Sequence, residues 1–333
     1  MRVLFIGGTG NISAECARRA YEMGHEVMVL TRGKIEVPAA YTAIRGERHD
    51  AASMRAAADS AKPDVVINFI GYELADVELD CAAFAGRAGQ YIFISSTTVH
   101  ARPAPLPITE DAPIGNAFWE YARKKAQCEA WLVERWRAVR FPVTIVRPSH
   151  TYSKRWIPNA VASSNHAFAA RLKGGKPVFV HDDGETPWTM TAAPDFAAGL
   201  CGLFGLEASL GEAVHITSDE VLTWNRIYHE IAEAFGAPAP DIRRIPTELV
   251  CNAAPNLIGT LKGDKAHPGI FDNSKIKRLV PGFACKKNFR NGIRESVEWL
   301  EQDHARWKMD PATNALIESV LSACERRNNF GSP

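Results

Sequence analysis

Several signatures that settle a protein's class at once are missing from this chain. No run of about 18 apolar residues occurs, which excludes a membrane-spanning helix. Lys+Arg and Asp+Glu number 39 and 38, a formal net charge of +1, and no Lys/Arg stripe is interleaved with aromatics. The electrostatic footprint of a nucleic-acid or membrane-surface binder is therefore absent. The seven cysteines (Cys16, Cys81, Cys128, Cys201, Cys251, Cys285, Cys324) are odd in number, scattered, and nowhere at metal-ligand spacing. Neither a disulfide framework nor a metal site is expected, and reduced thiols in a cytoplasmic protein fit this usage. There is no internal repeat and no low-complexity tract; only the tail from Asn328 to Pro333 is expected to fray. With 46% hydrophobic and 23% charged residues over 333 positions, the chain can bury a large core.

What is present begins at residue 2, with no targeting peptide expected ahead of it. Val3-Leu4-Phe5-Ile6 is a buried strand, Gly7-Gly8-Thr9-Gly10 a glycine-rich turn, and Asn11 and Ile12 lead into an amphipathic helix before the strand Val27-Met28-Val29-Leu30. Strand, turn and helix in one unit of about 30 residues is the pattern that holds a dinucleotide pyrophosphate. The glycines let backbone approach the phosphates, and the helix offers unpaired amides and a positive dipole end. Ser13 stands at the third position of the Gly7/Gly10 series, where glycine allows close helix–strand packing; its small size predicts a slight adjustment of the helix.

A further absence speaks to the cofactor. NAD-binding units place an acid at the end of the second strand for the ribose 2′-hydroxyl, whereas this chain reads Leu30-Thr31-Arg32-Gly33-Lys34. Arg32 can pair bidentately with a 2′-phosphate and Lys34 adds charge, so NADP(H) is favoured over NAD(H).

Further along, strands near 41–45, 64–68, 91–96 and 143–146 alternate with helices near 51–61, 77–88 and 117–139. Unbroken β-branched strands between helices mean a parallel sheet covered on both faces. The expected architecture is α/β, a doubly wound parallel sheet of Rossmann type with a smaller C-terminal lobe. Residues 1–150 form the dinucleotide-binding domain, its sheet completed by about 176–180 and 190–217. Residues 151–189 and 218–330 form the substrate-binding lobe. A helix is expected at 194–204, strands at 213–217 and 242–245, a helix at 224–235 and then a polar C-terminal region.

Tyr121 and Lys125 lie four residues apart on the long helix, hence on one face. Ser95 and Ser96 end a strand at the carboxyl edge of the sheet, where open α/β sheets bind ligands. Hydride exchange at a carbonyl needs a proton donor or acceptor, and a neighbouring ammonium together with the positive nicotinamide ring is expected to lower the pKa of a tyrosine toward neutrality. A serine hydroxyl then holds the substrate oxygen.

In order, Gly7-Gly8-Thr9-Gly10, Asn68-Phe69-Ile70-Gly71, Ser96, Tyr121/Lys125 and Arg147-Pro148 resemble extended short-chain dehydrogenases/reductases, in their sugar-nucleotide epimerase/dehydratase branch, which Thr109-Glu110-Asp111-Ala112-Pro113 and the late 271–277 segment also resemble. Thr31-Arg32-Gly33-Lys34 is similar to the subgroup that includes chloroplast stem-loop-binding proteins and bacterial reductase-like members. The resemblance implies that Ser96 polarises the substrate oxygen, with Thr97 a possible stand-in. By the same token Tyr121 is the general acid/base, and Lys125 tunes it and binds the nicotinamide ribose. It also implies cofactor contacts from Gly7, Thr9, Gly10, Asn11, Ile12, Arg32, Glu47, Asn68, Phe69, Gly71 and Pro148. A homodimer through the helix 117–139 is implied as well.

Three departures bear on the substrate. His150 replaces the asparagine that relatives place after Arg-Pro, and His100 stands where they often have tyrosine. The segment 185–191 lacks the arginine that grips a nucleotide phosphate. Trp119, Trp156 and Trp188 could instead stack on a sugar face, with His100 and His150 as polar contacts; packed core positions are the alternative for each. The expected activity is an NADP(H)-dependent ketoreductase or dehydrogenase acting on a sugar-like small molecule. One rival is an epimerase or dehydratase with retained cofactor, and the other is a non-catalytic RNA-binding member.

Overall fold

The computed structural model describes residues 1–34, 36–161, 166–308 and 310–330. Seven strands form one parallel sheet: β1 (Arg2–Ile6), β2 (Glu26–Thr31), β3 (Thr42–Arg45), β4 (Val65–Asn68), β5 (Gln90–Ile94), β6 (Val143–Pro148), and Ala213–Ile216 at one edge. The order is Ala213–Ile216, β6, β5, β4, β1, β2, β3, so the chain winds outward in both directions from β1. Val3 pairs with Val27 on one side and Val65 on the other. The carboxyl ends of β1 and β4, where the winding reverses, make the crevice in which such sheets bind ligands.

Alternation along each strand feeds two cores. Val3, Phe5, Val27 and Val29 pack with Cys16, Ala17 and Ala20 of α1 (Ser13–Glu22) and with Phe196, Ala197 and Leu200 of the helix Ala193–Gly202. Leu4, Ile6, Met28 and Leu30 face the other way, toward Met54 and Ala57 of α2 (Ala51–Ala61), Val77 of α3 (Leu74–Phe84), and Cys128 and Leu132 of α4 (Glu120–Val139).

A third core lies after residue 150, built around Trp156, Phe168, Trp188, Trp224, Tyr228, Ile293 and Leu321. Here the sheet completion expected from sequence is corrected. The strand Val178–His181 pairs with Ile242–Ile245, Val178 opposite Ile242, in a separate two-stranded sheet. Within 190–217 only Ala213–Ile216 joins the large sheet, because Ala213 takes the edge beside Ile145. The strand Pro187–Ala192 instead lies between His150–Tyr152 and Val221–Thr223. The supposedly polar C-terminal region contains the helix Phe289–Glu301, whose Phe289, Ile293, Val297 and Leu300 form a buried stripe, and the helix Pro311–Phe330. The helix thus continues through Phe330, past the start of the tail expected to fray, and residues 331–333 lie outside the described residues.

No described helix is long and apolar enough to cross a membrane.

Candidate active site

Gly7 sits at φ +88°, where an added Cβ would meet Ile70 Cγ2 at 2.7 Å; at Gly8 it would meet Phe5 Cβ at 2.9 Å. Only glycine gives both the left-handed backbone and the bare surface here. Ser13 does more than fill its place. Its Oγ donates to the Gly7 carbonyl at 2.5 Å and accepts from the Gly10 N–H at 2.8 Å, stapling the turn to the start of α1. The N-terminus of α1 carries no side-chain cap, which leaves it suited to an anion.

The turn floors a groove. On one side a cavity of about 650 Å³ is bordered by Gly7, Thr9, Gly10, Arg32, Lys34 and Glu47. Arg32 and Lys34 are exposed and have no ion-pair partner among the described residues. Gly7, Gly10, Ile70 and Tyr72 are shared with a second cavity of about 580 Å³, so the two are continuous over the turn.

The second cavity gathers most of the remaining candidates: Asn11, Ile12, Phe69, Ser96, Thr97, Tyr121, Lys125, Pro148, His150, Trp119, Trp156 and Trp188. Ser96 lies two residues beyond the end of β5 and caps the turn Thr97–Val99, accepting from the Thr98 N–H at 3.2 Å and the Thr98 hydroxyl at 3.0 Å. Tyr121 and Lys125 stand one turn apart near the start of α4. Lys125 Nζ donates to the carbonyls of Gly71 and Ile94, both at 2.7 Å, and lies 4.7 Å from the Phe93 ring centroid and 5.0 Å from that of Tyr72. Burial lowers its pKa to about 8.

The protein's own groups act on Tyr121 in opposite directions. Burial, helped by Tyr72, pushes its phenol above the usual tyrosine range; a hydrogen bond with Ser96 pulls the other way without reversing the shift. The Lys125 ammonium is committed to two carbonyls, 5.9 Å from the Tyr121 ring centroid. The tyrosine is thus held as a neutral phenol bonded to Ser96.

Three sequence candidates lie off the cavity wall. Asn68 is fully buried: its amide donates to Asp80 at 2.6 Å and to the Tyr91 hydroxyl at 3.0 Å, and its Oδ1 accepts from the Ile70 N–H at 2.8 Å. Asp80, also held by Arg48 at 2.5 Å, completes a post that shapes the 69–72 loop. The role expected for Asn68 as a cofactor contact is corrected to support of that loop. Gly71 contributes its carbonyl to Lys125, and a Cβ there would press on Asn68 at 2.6 Å. His100, expected at the cleft, is fully buried behind it. Its Nδ1 lies 3.1 Å from the Ala112 carbonyl and its Nε2 3.0 Å from Nε2 of His215, because a bridge to Ile114 carries the chain away after the 97–99 turn.

His150 remains on the wall, stacked on Trp156 at 4.8 Å, and burial depresses its pKa well below the ordinary value. Arg147 clamps α4 to β6, its Nε donating to Glu129 Oε1 at 3.0 Å and its Nη2 to Glu129 Oε2 at 2.7 Å.

Sequence reasoning missed Tyr72, Asp264 and Lys265, all on the wall. The last two come from a single wide turn, Leu261–Lys265, with Lys265 Nζ 3.4 Å from Asp264 and Arg102 3.3 Å from it on the other side. Nothing local in Lys262-Gly263-Asp264-Lys265 marks it as cavity lining.

Comparison with known proteins gives a consistent picture. The model of the NAD dependent epimerase/dehydratase family matches residues 3–209. The 2'-dehydrokanamycin reductase of Streptomyces kanamyceticus is 26% identical over 305 residues, 90% of this chain and 84% of that protein. The chloroplast stem-loop binding protein of 41 kDa b of Arabidopsis thaliana is 25% identical over 72% of this chain and 65% of its own length. The fold of a UDP-glucose 4-epimerase from Bifidobacterium longum, solved with NAD+ and UDP, superposes with a TM-score of 0.73 at 18% identity, covering 92% of this chain and 99% of that one.

Proposed function

The chain belongs to the NAD dependent epimerase/dehydratase family, and from that premise we propose that it is an NADP(H)-dependent oxidoreductase interconverting a carbonyl and an alcohol on a sugar-like substrate. The observation that carries this reading is Tyr121: a neutral phenol bonded to Ser96, in a cavity continuous with the glycine turn.

The residues present fit a dinucleotide. The cradle at Gly7 and Gly8 would be filled by any Cβ, and the uncapped α1 start faces the same groove. Gly7, Thr9, Gly10, Asn11 and Ile12 would hold the pyrophosphate, Arg32 and Lys34 a 2′-phosphate, Glu47 the adenosine end, and Phe69 and Pro148 the nicotinamide side. When bound, the nicotinamide supplies or accepts hydride at the substrate carbon. Ser96 donates to the substrate oxygen and orients it. Tyr121, protonated through the neutral range, gives its proton to the alkoxide that develops on reduction. Lys125, fixed on two carbonyls, offers its remaining N–H toward the cavity as a ribose contact. The aromatic walls exclude water from the reacting atoms.

The 26% identical reductase supports net redox chemistry. An epimerase or dehydratase with retained cofactor would use the same tyrosine and lysine, and the structural likeness to a UDP-glucose 4-epimerase keeps that second reading in view. The deciding assay follows NADPH at 340 nm against sugar-derived ketones. Steady loss of absorbance, abolished in Tyr121→Phe, supports the oxidoreductase; turnover with no net change supports the rival. The same reading carries the division of labour between residues 1–150 and the later lobe, and pairing of two copies through 117–139.

A further inference from the structure

Among the described residues most buried polar atoms have partners, but four on the wall of the substrate cavity do not. Oγ of Ser95, Nε1 of Trp156, Nε1 of Trp188 and Nε2 of His150 are shielded from solvent and have no hydrogen-bond partner there. A buried polar group left unpaired is costly, and four on one cavity wall point to a ligand that pairs with them. The rings cannot turn away to find partners. His150 lies stacked on Trp156, Trp188 packs on Trp224 at a centroid distance of 5.7 Å, and Gly269 is so close that a Cβ there would meet Trp188 Cε3 at 2.5 Å.

The chemistry of the wall narrows what can pair with it. An indole N–H only donates, so the ligand must bring acceptors. An ammonium brings none, and the one carboxylate on the wall, Asp264, is already bound by Arg102 and Lys265. A phosphate brings acceptors but also charge. Lys125 spends two of its three N–H groups on carbonyls and Lys265 is paired with Asp264, while burial keeps His150 neutral, so one N–H of Lys125 is left to meet the several oxygens of a dianion. A hydroxyl both accepts and donates, and a ring bearing several offers apolar faces to the indoles as well.

Resting on the reading of this cavity as the substrate site, we propose that Trp156, Trp188 and His150 form a subsite for an uncharged, hydroxyl-bearing carbohydrate ring, one that carries neither an amino group nor a phosphate. The substrate class is thereby a neutral glycoside or cyclitol at this end. A polyaminated ring, and a sugar phosphate placed here, are both disfavoured.

The test measures ring binding to the NADP+-saturated protein by saturation-transfer NMR, with no turnover required. The probes are methyl glucopyranoside, its 2-amino-2-deoxy analogue and glucose 1-phosphate. The neutral probe should bind at least about tenfold more tightly than either charged one. Trp188→Phe and Trp156→Phe, which each remove one N–H and keep an aromatic ring, should each weaken it by about three- to tenfold. NADP+ affinity in the same samples reports folding, and a variant that loses it leaves the other to decide. Equal or tighter binding of a charged probe, unchanged affinity in the folded variants, or no saturable binding by any probe overturns the proposal. Failure of NADPH oxidation alongside a positive result here would instead sink the oxidoreductase reading alone.

Discussion

The two ends of the groove meet over Gly7 and Gly10 yet are built on opposite principles. At the end bordered by Arg32, Lys34 and Glu47, charged side chains are exposed and free to move toward a ligand. At the other end Lys125, Trp156, Trp188 and Asp264 are buried, and every charge is committed to a protein partner. A site that selects by phosphate can leave its cations in water until the ligand arrives. A site that moves a proton needs its groups fixed and dry beforehand. On the proposed reading, the contrast makes recognition at the first end electrostatic and sensitive to salt. At the second it is set by shape and unpaired hydrogen bonds.

The sharpest way to break this comparison is Lys125→Met, because Lys125 serves the protein and the cavity together. The change strips the Gly71 and Ile94 carbonyls of their donor, and it removes the ribose contact proposed above. Both kcat and NADPH affinity should fall, with kcat/KM lower than in any other single variant here. Next comes Tyr121→Phe, which keeps the ring and removes the proton. General acid–base catalysis is typically worth about 10²–10⁴-fold, so kcat should drop by that order while the NADPH dissociation constant holds. Retention of more than about a tenth of wild-type turnover would hand the proton to another group, with His150 the first candidate on the wall.

A smaller effect is expected from pH. The Lys125 ammonium, with its pKa lowered to about 8, loses its proton well before an ordinary lysine. The phenol of Tyr121 stays protonated through the same interval because its shift runs upward. In the reduction direction kcat/KM for NADPH, which reports the free enzyme, should therefore fall as pH rises through about 8, by up to tenfold per unit. In the oxidation direction, a rise with pH through a single apparent pKa below that of free tyrosine would mean that the phenolate is the working base.

The surroundings of Tyr121 show where sequence is informative and where it stops. The strands around Val3, Val27, Val65, Ile92 and Val143 were legible because a parallel sheet buried on both faces demands unbroken apolar runs. The glycine turn was legible because its backbone tolerates nothing else. An apolar run does not say which edge it joins, however, so Val178–His181 was assigned to the wrong sheet. Spacing put Tyr121 above Lys125 correctly, but the carbonyls that occupy the ammonium belong to the loop after β4 and the end of β5, which no helical pattern reveals. Asn68 and His100 were misplaced for the same reason: a polar residue at a strand end faces either a ligand or a buried partner, and only packing decides. Lys265 was invisible because a wide turn from late in the chain brings it to the wall.

The most direct test of the account needs no substrate. NADPH and NADH are titrated against the wild-type protein and Arg32→Ala, following fluorescence energy transfer from tryptophan to the bound dihydronicotinamide. A hydrogen bond to a charged group is worth about 1.5–3 kcal/mol, or roughly 10- to 150-fold. The account predicts that wild type prefers NADPH by that order, that Arg32→Ala loses most of the preference by weakening NADPH alone, and that added salt erodes it further. Equal or tighter binding of NADH by the wild type, or a preference untouched by Arg32→Ala, would contradict it.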